Sequence, residues 1–171
     1  MIASLSSWLD RPARLALVVF VASAALLLGA LGFQFIGKLA PCALCIDQRY
    51  AHVVALVLAA AAVVVRGRAG WVLAGLAVLA LATSGGIGIF HAGVEQKWWA
   101  GPTGCTGGSL ADLTPEEATK RLMGTPVVRC DEIPWSLFGI SMAGWNAIVS
   151  LGVALLASLL VLRRKAGRRS A

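Results

Sequence analysis

The sequence predicts an all-α membrane protein, a bundle of four transmembrane helices with one long loop on the outer side of the membrane. Of its 171 residues, 58% are hydrophobic and 13% are charged, whereas an ordinary soluble domain has about 25% charged residues. The apolar excess lies in four runs, each close to the length of about 20 residues that a spanning helix needs. Basic residues collect at one end of these runs. The composition therefore excludes an ordinary soluble domain, and we expect one integral membrane domain over residues 1–171.

The predicted spans are approximately residues 15–36, 46–65, 71–90 and 142–162. The second run reaches spanning length only if it includes Arg49, whose long side chain can extend to the lipid headgroups.

The first run could instead be a cleaved signal, because Arg11 and Arg14 precede it and Pro41-Cys42 ends a stretch that faintly resembles a lipoprotein cleavage box. A signal core has about 7–15 apolar residues, which is shorter than this run, and such a box needs a small residue where Pro41 stands. We therefore expect the first span to be retained.

Charge predicts the orientation of the spans, since basic residues near span ends mark the cytoplasmic side. With both termini cytoplasmic, the inner segments hold nine basic residues and one acidic residue, and the outer segments hold six basic and seven acidic residues. The outer loops are then approximately residues 37–45 and 92–141, and they contain every cysteine. The basic balance thus reflects membrane orientation, and nucleic-acid binding is not expected.

A short helix is predicted inside the second outer loop. Thr114 suits the N-cap, Pro115 the first helical position and Glu117 the third. Gly124 and Pro126 are expected to end the helix. Its apolar side chains could lie on the bilayer surface, or the helix could simply space two cysteines.

The chain has four cysteines: Cys42, Cys45, Cys105 and Cys130. The C-x-x-C spacing of the first two allows a disulfide, a redox pair or half of a zinc site. No metal site is expected, because the chain has only two histidines and neither has a zinc-like spacing. A structural disulfide between the loop cysteines would stabilise the fold by about 3–4 kcal/mol. The first pair would close almost no loop, so we expect its value to lie mainly in reactivity.

Local features support that reactivity. If the second helix starts just after Pro41, both sulfurs lie at a helix N-terminus, where the dipole favours a thiolate. Arg49 follows Cys45 by one turn and shares its face. This cation could stabilise the thiolate and bind an oxygen of an electron acceptor. Asp47 opposes the effect unless its side chain points to water.

Two histidines lie near the same depth. His91 ends the third span level with the cysteine pair, where a lone histidine is more often an interfacial residue than a cofactor contact. His52 lies slightly deeper, and we expect it to serve packing.

Three segments, residues 41–49, 91–99 and 135–139, together with the order of spans and cysteines, resemble the disulfide-bond formation protein B (DsbB) family. The resemblance covers nearly the whole chain. It implies a multi-pass oxidoreductase of the bacterial inner membrane, so that the outer side is periplasmic. It also implies a DsbA-like thioredoxin-fold partner and ubiquinone or menaquinone as cofactor and electron acceptor.

The resemblance further implies a route for electrons. Cys105 and Cys130 would form the disulfide that the reduced partner attacks, with Cys105 taking the mixed disulfide. Cys130 would then exchange with Cys42, and Cys45 would pass electrons to the quinone.

The quinone would be held near Arg49, with His91 as a second contact. Asp47 departs from the apolar or aromatic residue of the family at that position. One alternative is an enzyme similar to vitamin K epoxide reductase, although there the C-x-x-C pair follows the loop cysteines and here it precedes them. The other is a non-enzymatic membrane scaffold with two structural disulfides.

Overall fold

Four long helices and one small hairpin make up the computed structural model, which describes residues 12–102, 114–117, 119 and 128–167. The helices are α1 (Pro12–Phe35), α2 (Ala43–Val64), α3 (Gly67–Glu95) and α4 (Met142–Gly167), and the hairpin pairs β1 (Ser136–Leu137) with β2 (Ile140–Ser141).

All four helices are long and apolar enough to cross a membrane; in α4 the qualifying stretch is Met142–Leu159. Large apolar side chains cover their outer faces, for example Val21, Leu28, Val57 and Leu79, each more than half exposed. Such an exposed apolar surface suits contact with lipid rather than water. The predicted bundle of four membrane helices is confirmed.

Two of the helices, α2 and α3, extend beyond their apolar runs at the end that carries the cysteines. α2 begins at Ala43 and α3 continues to Glu95, whereas hydropathy alone places these ends near residues 46 and 90. Hydropathy marks the stretch that contacts lipid, but backbone hydrogen bonds continue a helix into the polar interface.

Small side chains let the helices approach closely. Ala55 and Ala59 of α2 and Ala74 and Ala77 of α3 are fully buried in one apolar cluster. A Cβ on Gly88 would lie 2.9 Å from the Ala143 carbonyl oxygen of α4, so only glycine permits this contact. Close packing through small residues is the usual way in which membrane helices associate.

The connections shape the end of the bundle that carries the cysteines. Between β1 and β2, Phe138 and Gly139 both have positive φ, 54° and 76°, which is the backbone of a type I′ turn. Trp145 of α4 donates a hydrogen bond to the Leu137 carbonyl at 3.2 Å. The sequence did not predict this hairpin.

The predicted loop helix has its start at the expected place. Residues 115–117 and 119 are helical. Thr114 Oγ1 lies 2.8 Å from Glu117 Oε2 and accepts the Glu117 N–H at 3.4 Å, which forms the predicted capping box. Gly124 and Pro126, the expected end of this helix, lie outside the described residues.

Candidate active site

Cys42 stands at the start of α2 as its N-cap residue. Its backbone is extended, with φ −78° and ψ 174°, and its sulfur accepts the Cys45 N–H at 3.4 Å. Both cysteines are free thiols, and the Cys42 thiol donates to the Cys45 sulfur across 3.2 Å. That hydrogen bond, together with burial, raises the pKa of Cys42. Cys42 therefore holds its proton, and Cys45, which is partly exposed, is the sulfur better placed to react with an acceptor.

The fold brings a loop cysteine onto the sulfur of Cys42. Cys130 is fully buried in a cluster with Cys42, Leu44 and Val94, and it is disulfide-bonded. Cys42 Sγ, Cys130 Sγ and a ring nitrogen of His91 lie within 4.8 Å of one another. Thiol–disulfide exchange between the two cysteines needs only a small approach of the sulfurs.

The same three residues form a cluster that could be considered as a metal centre. Two observations argue against a resident ion. The Cys130 sulfur is engaged in a disulfide and therefore has no thiolate to offer a metal. The nitrogen of His91 that faces Cys42 carries a proton, as the next hydrogen bonds require, so it has no lone pair to donate.

A chain of buried hydrogen bonds fixes the protonation of His91. Gln48 contacts the backbone carbonyl of Leu44 at 3.0 Å, and only its amide nitrogen can donate there. The same nitrogen lies 3.0 Å from His91 Nδ1, so Nδ1 accepts. The proton of the neutral ring is therefore on Nε2, which faces Cys42 Sγ at 3.5 Å.

Asn146 of α4 sets the orientation of Gln48. Its amide nitrogen donates to the Ser84 carbonyl at 3.2 Å and to Gln48 Oε1 at 2.7 Å. Its oxygen lies 2.9 Å from His52 Nε2 and accepts the Ser150 hydroxyl at 3.0 Å. Residues of α2, α3 and α4 thus form one polar network. It ends at His91, whose Nε2–H faces the Cys42 sulfur.

Arg49 lies one turn beyond Cys45, and α1 positions it. Its guanidinium donates to Gln34 Oε1 and, at 3.2 Å, to the carbonyl of Ala30. A guanidinium has five N–H donors, so donors remain for a ligand. Asp47, which could have opposed this cation, is exposed.

A cavity of about 530 Å³ opens beside these groups. This volume is within the range of about 300–1,000 Å³ that is usual for small-molecule sites. Residues of all four helices, of the segment before the hairpin and of the hairpin itself line it, and most of the lining is apolar. Its polar members include Cys45, Gln48, Arg49, His52, His91, Glu95 and Asn146.

The chain has clear relatives among characterised families. The family described as disulfide bond formation protein DsbB matches residues 12–160. The chain belongs to the DsbB family.

Proteins named disulfide bond formation protein B are similar over nearly their whole length. The protein from Albidiferax ferrireducens is 32% identical over 171 residues, with 96% of this chain and 95% of that protein covered. The one from Verminephrobacter eiseniae is 33% identical, covering 90% of this chain and 89% of that protein. The one from Methylococcus capsulatus is 36% identical, covering 80% and 86%. No solved structure matches this chain significantly.

Most of the predicted site residues of this DsbB family member meet at one end of the bundle. Cys42, Cys45, Cys130, Arg49 and His91 all lie at or beside the cavity. Cys105 lies outside the described residues, so its pairing with Cys130 stays a prediction. The ring of His91 faces the Cys42 sulfur, and its contact with a quinone also stays a prediction.

Sequence reasoning missed four members of the polar network, namely Gln48, Ser84, Asn146 and Ser150. It also missed Glu95, which is buried and has Oε1 3.8 Å from His91 Nε2. The available signal was a polar residue inside or at the end of an apolar run, which within a membrane is expensive and often functional. His52, expected to serve packing, is indeed buried, but it also belongs to this network.

Proposed function

We propose that the chain oxidises a DsbA-like dithiol protein of the periplasm and passes the electrons through two cysteine pairs to a membrane quinone. The observation that carries the proposal is the approach of Cys42 to Cys130, within 4.8 Å in a buried cluster. A free thiol beside a disulfide is the arrangement that exchange between two redox pairs requires.

The exchange steps balance as follows. Oxidation of the partner reduces the disulfide of Cys130, whose other half we propose is Cys105. The Cys130 thiolate then attacks Cys42 Sγ of an oxidised Cys42–Cys45 pair; the bond between Cys130 and Cys42 forms, and Cys45 leaves as a thiolate. When the Cys105 thiolate then attacks Cys130 Sγ, the bond between Cys130 and Cys42 breaks and Cys42 leaves, so that Cys42 and Cys45 remain as the reduced pair.

A quinone bound there would serve as the final two-electron acceptor, and the Cys42 and Cys45 thiols would give up two electrons and two protons to it on forming their disulfide. The residues around the cavity suit it. Cys45 and Arg49 line the same apolar space, and the free N–H donors of Arg49 can bind a carbonyl oxygen. His91 Nε2 lies 3.5 Å from Cys42 Sγ, and its N–H would stabilise negative charge on that sulfur when Cys42 leaves the mixed disulfide with Cys130.

We propose that the end carrying the cysteines faces the periplasm and that the chain termini are cytoplasmic, as an inner-membrane protein. The charge pattern supports this orientation. Arg14, Arg66 and Arg68 lie at the opposite end of the bundle from the cavity, and basic residues mark the cytoplasmic side.

Purified protein in detergent, mixed with a reduced DsbA-like protein and ubiquinone, tests the proposal. Quinone absorbance reports electron transfer, while alkylation of free thiols followed by mass spectrometry reports which cysteines are reduced. We expect catalytic loss of quinone absorbance together with oxidation of the partner. If the cysteines stay unchanged while the partner remains reduced, the protein is a scaffold with structural disulfides. Menaquinone in place of ubiquinone, in a parallel reaction, distinguishes the two acceptors.

A further inference from the structure

The segment that carries Cys130 is attached to the end of α3 through Asp131, the residue after the cysteine, which contacts Lys97. Lys97 Nζ donates to the backbone carbonyl of Asp131 at 2.7 Å and to its carboxylate at 2.5 Å. Arg129 donates to both oxygens of that carboxylate, at 2.9 Å from Nε and 2.7 Å from Nη2. Hydrogen bonds between charged groups are the strong ones, above all when an arginine binds both oxygens.

The backbone of Lys97 gives a second, independent observation. α3 ends in a Schellman motif, with Trp98 N–H bonded to the Gly93 carbonyl at 2.9 Å and Lys97 N–H bonded to the Val94 carbonyl at 3.1 Å. Lys97 occupies the left-handed position of that motif with φ 61°, a position that usually holds glycine. A lysine there is strained, because its Cβ crowds the backbone in the left-handed region, and strain of this kind is a reason to look for a function.

Lys97 combines both features: its backbone is left-handed, and its side chain binds Asp131 in the segment that carries Cys130. Asp131 follows Cys130 directly, and Cys130 is fully buried while Lys97 is 62% exposed in its side chain. We call the contact between Lys97 and Asp131 the clamp. Arg129 binds the same carboxylate from the other side. The clamp joins the end of the helix that carries His91 to the residue next to the exchanging cysteine.

We propose that the Lys97–Asp131 clamp is a positioning device that holds Cys130 over Cys42 and so raises the rate of exchange between the two cysteine pairs. This inference rests on the proposed exchange between Cys130 and Cys42. Holding two reacting groups together raises their effective concentration. Stability is a minor part of the effect, since exposed ion pairs contribute little to it.

The test uses a background in which Cys45→Ser and Cys105→Ser leave Cys42 and Cys130 as the only cysteines. The protein is equilibrated, without quinone or partner, in mixtures of oxidised and reduced glutathione, and the fraction of Cys42–Cys130 disulfide gives the effective concentration of the two thiols. We expect Lys97→Gly to lower this value by about three- to fivefold, since it removes the partly exposed charge-assisted bonds to Asp131. Lys97→Arg, which keeps the charge, should stay within about twofold.

Lys97→Gly also separates positioning from stability. Glycine relieves the left-handed backbone, so the thermal midpoint should not fall even though the effective concentration does. Asp131→Asn keeps the backbone carbonyl that Lys97 contacts and should have a smaller effect. Glu132→Gln is the matched control, because it removes only the neighbouring ion pair between Glu132 and Arg129 at 3.3 Å. It should leave the effective concentration of Cys42 and Cys130 unchanged.

High salt provides a further readout. Raising the ionic strength to about 1 M shortens the screening length to about 3 Å, which should narrow the difference between the unsubstituted background and Lys97→Gly. Equal effective concentrations in all variants would overturn the clamp while leaving the proposed exchange intact. Failure of the background itself to form the Cys42–Cys130 disulfide would overturn both.

Discussion

Gln48→Met tests how the polar network controls the Cys42 sulfur. Methionine has nearly the same length as glutamine but cannot donate to His91 Nδ1, which accepts the Gln48 amide at 3.0 Å. Asn146 loses its bond to Gln48 but keeps its bonds to Ser84 at 3.2 Å. The substitution therefore removes the contact at Nδ1 that favours a proton on Nε2 of His91.

The expected magnitude follows from the lost hydrogen bond. An intramolecular hydrogen bond contributes about 1 kcal/mol net, which is about fivefold in an equilibrium constant. The preference of His91 for the Nε2–H form should fall by that factor, and both forms should become populated. Because the Nε2–H bond stabilises negative charge at Cys42, alkylation of Cys42 should slow by up to about fivefold.

Nitrogen-15 NMR of histidine-labelled protein at pH 7 measures the two forms directly. The chain has only two histidines, and His91→Asn identifies the signals of His91. The control is Ser150→Ala, which removes a bond to Asn146 at 3.0 Å without touching Gln48. A proton on Nδ1 in the unsubstituted protein, or the same ratio of forms in Gln48→Met, would refute the reasoning.

Four further outcomes are expected. Arg49→Ala should raise the quinone KM at least about tenfold, because a charge-assisted hydrogen bond is lost, and Arg49→Lys should be only partly active. An unchanged KM in a quinone titration would show that Arg49 is not part of the acceptor site. With Cys130→Ser, a mixed disulfide between Cys105 and the partner should accumulate on nonreducing gels, and an adduct through Cys42 would instead make the loop pair structural. After reduction, a membrane-impermeant thiol reagent should label the loop cysteine Cys105 in intact spheroplasts, and protection until lysis would contradict the predicted orientation. The pKa of Cys42 is raised, so this thiol should be alkylated slowly at neutral pH. Its rate of alkylation should increase only above the pKa of a free cysteine, about 8.5, and a pH–rate profile like that of free cysteine would contradict this.

Asp131 offers a separate check of the charged loop. Hydrogen bonds from Arg129 and Lys97 hold the pKa of Asp131 well below its usual range. The usual pKa of an aspartate is about 4. Because the pKa of Asp131 is lower, its carboxylate should stay charged when the pH falls to that value and somewhat below it. Its ion pairs should therefore survive mild acid, which carbonyl infrared spectra of unsubstituted protein and Asp131→Asn would show.

The sequence by itself determined the membrane bundle, and it singled out the cysteines and Arg49 as candidate reactive residues. Hydropathy acts along the chain, so four apolar runs are visible without tertiary structure, and the spacing of Cys42, Cys45 and Arg49 fits within two turns of one helix. The capping box at Thr114 and Glu117 is equally local, since all of its hydrogen bonds join residues three apart.

Only the tertiary structure decided which residues from distant segments meet. Gln48, His91 and Asn146 come from three helices, and their contacts depend on how those helices rotate and cross, which hydropathy does not encode. The position of Cys130 over Cys42 likewise depends on a left-handed residue at Lys97 and on its bonds across more than thirty residues of chain. Side-chain packing and directional hydrogen bonds fix such contacts, and both require the neighbouring helices to be in place first.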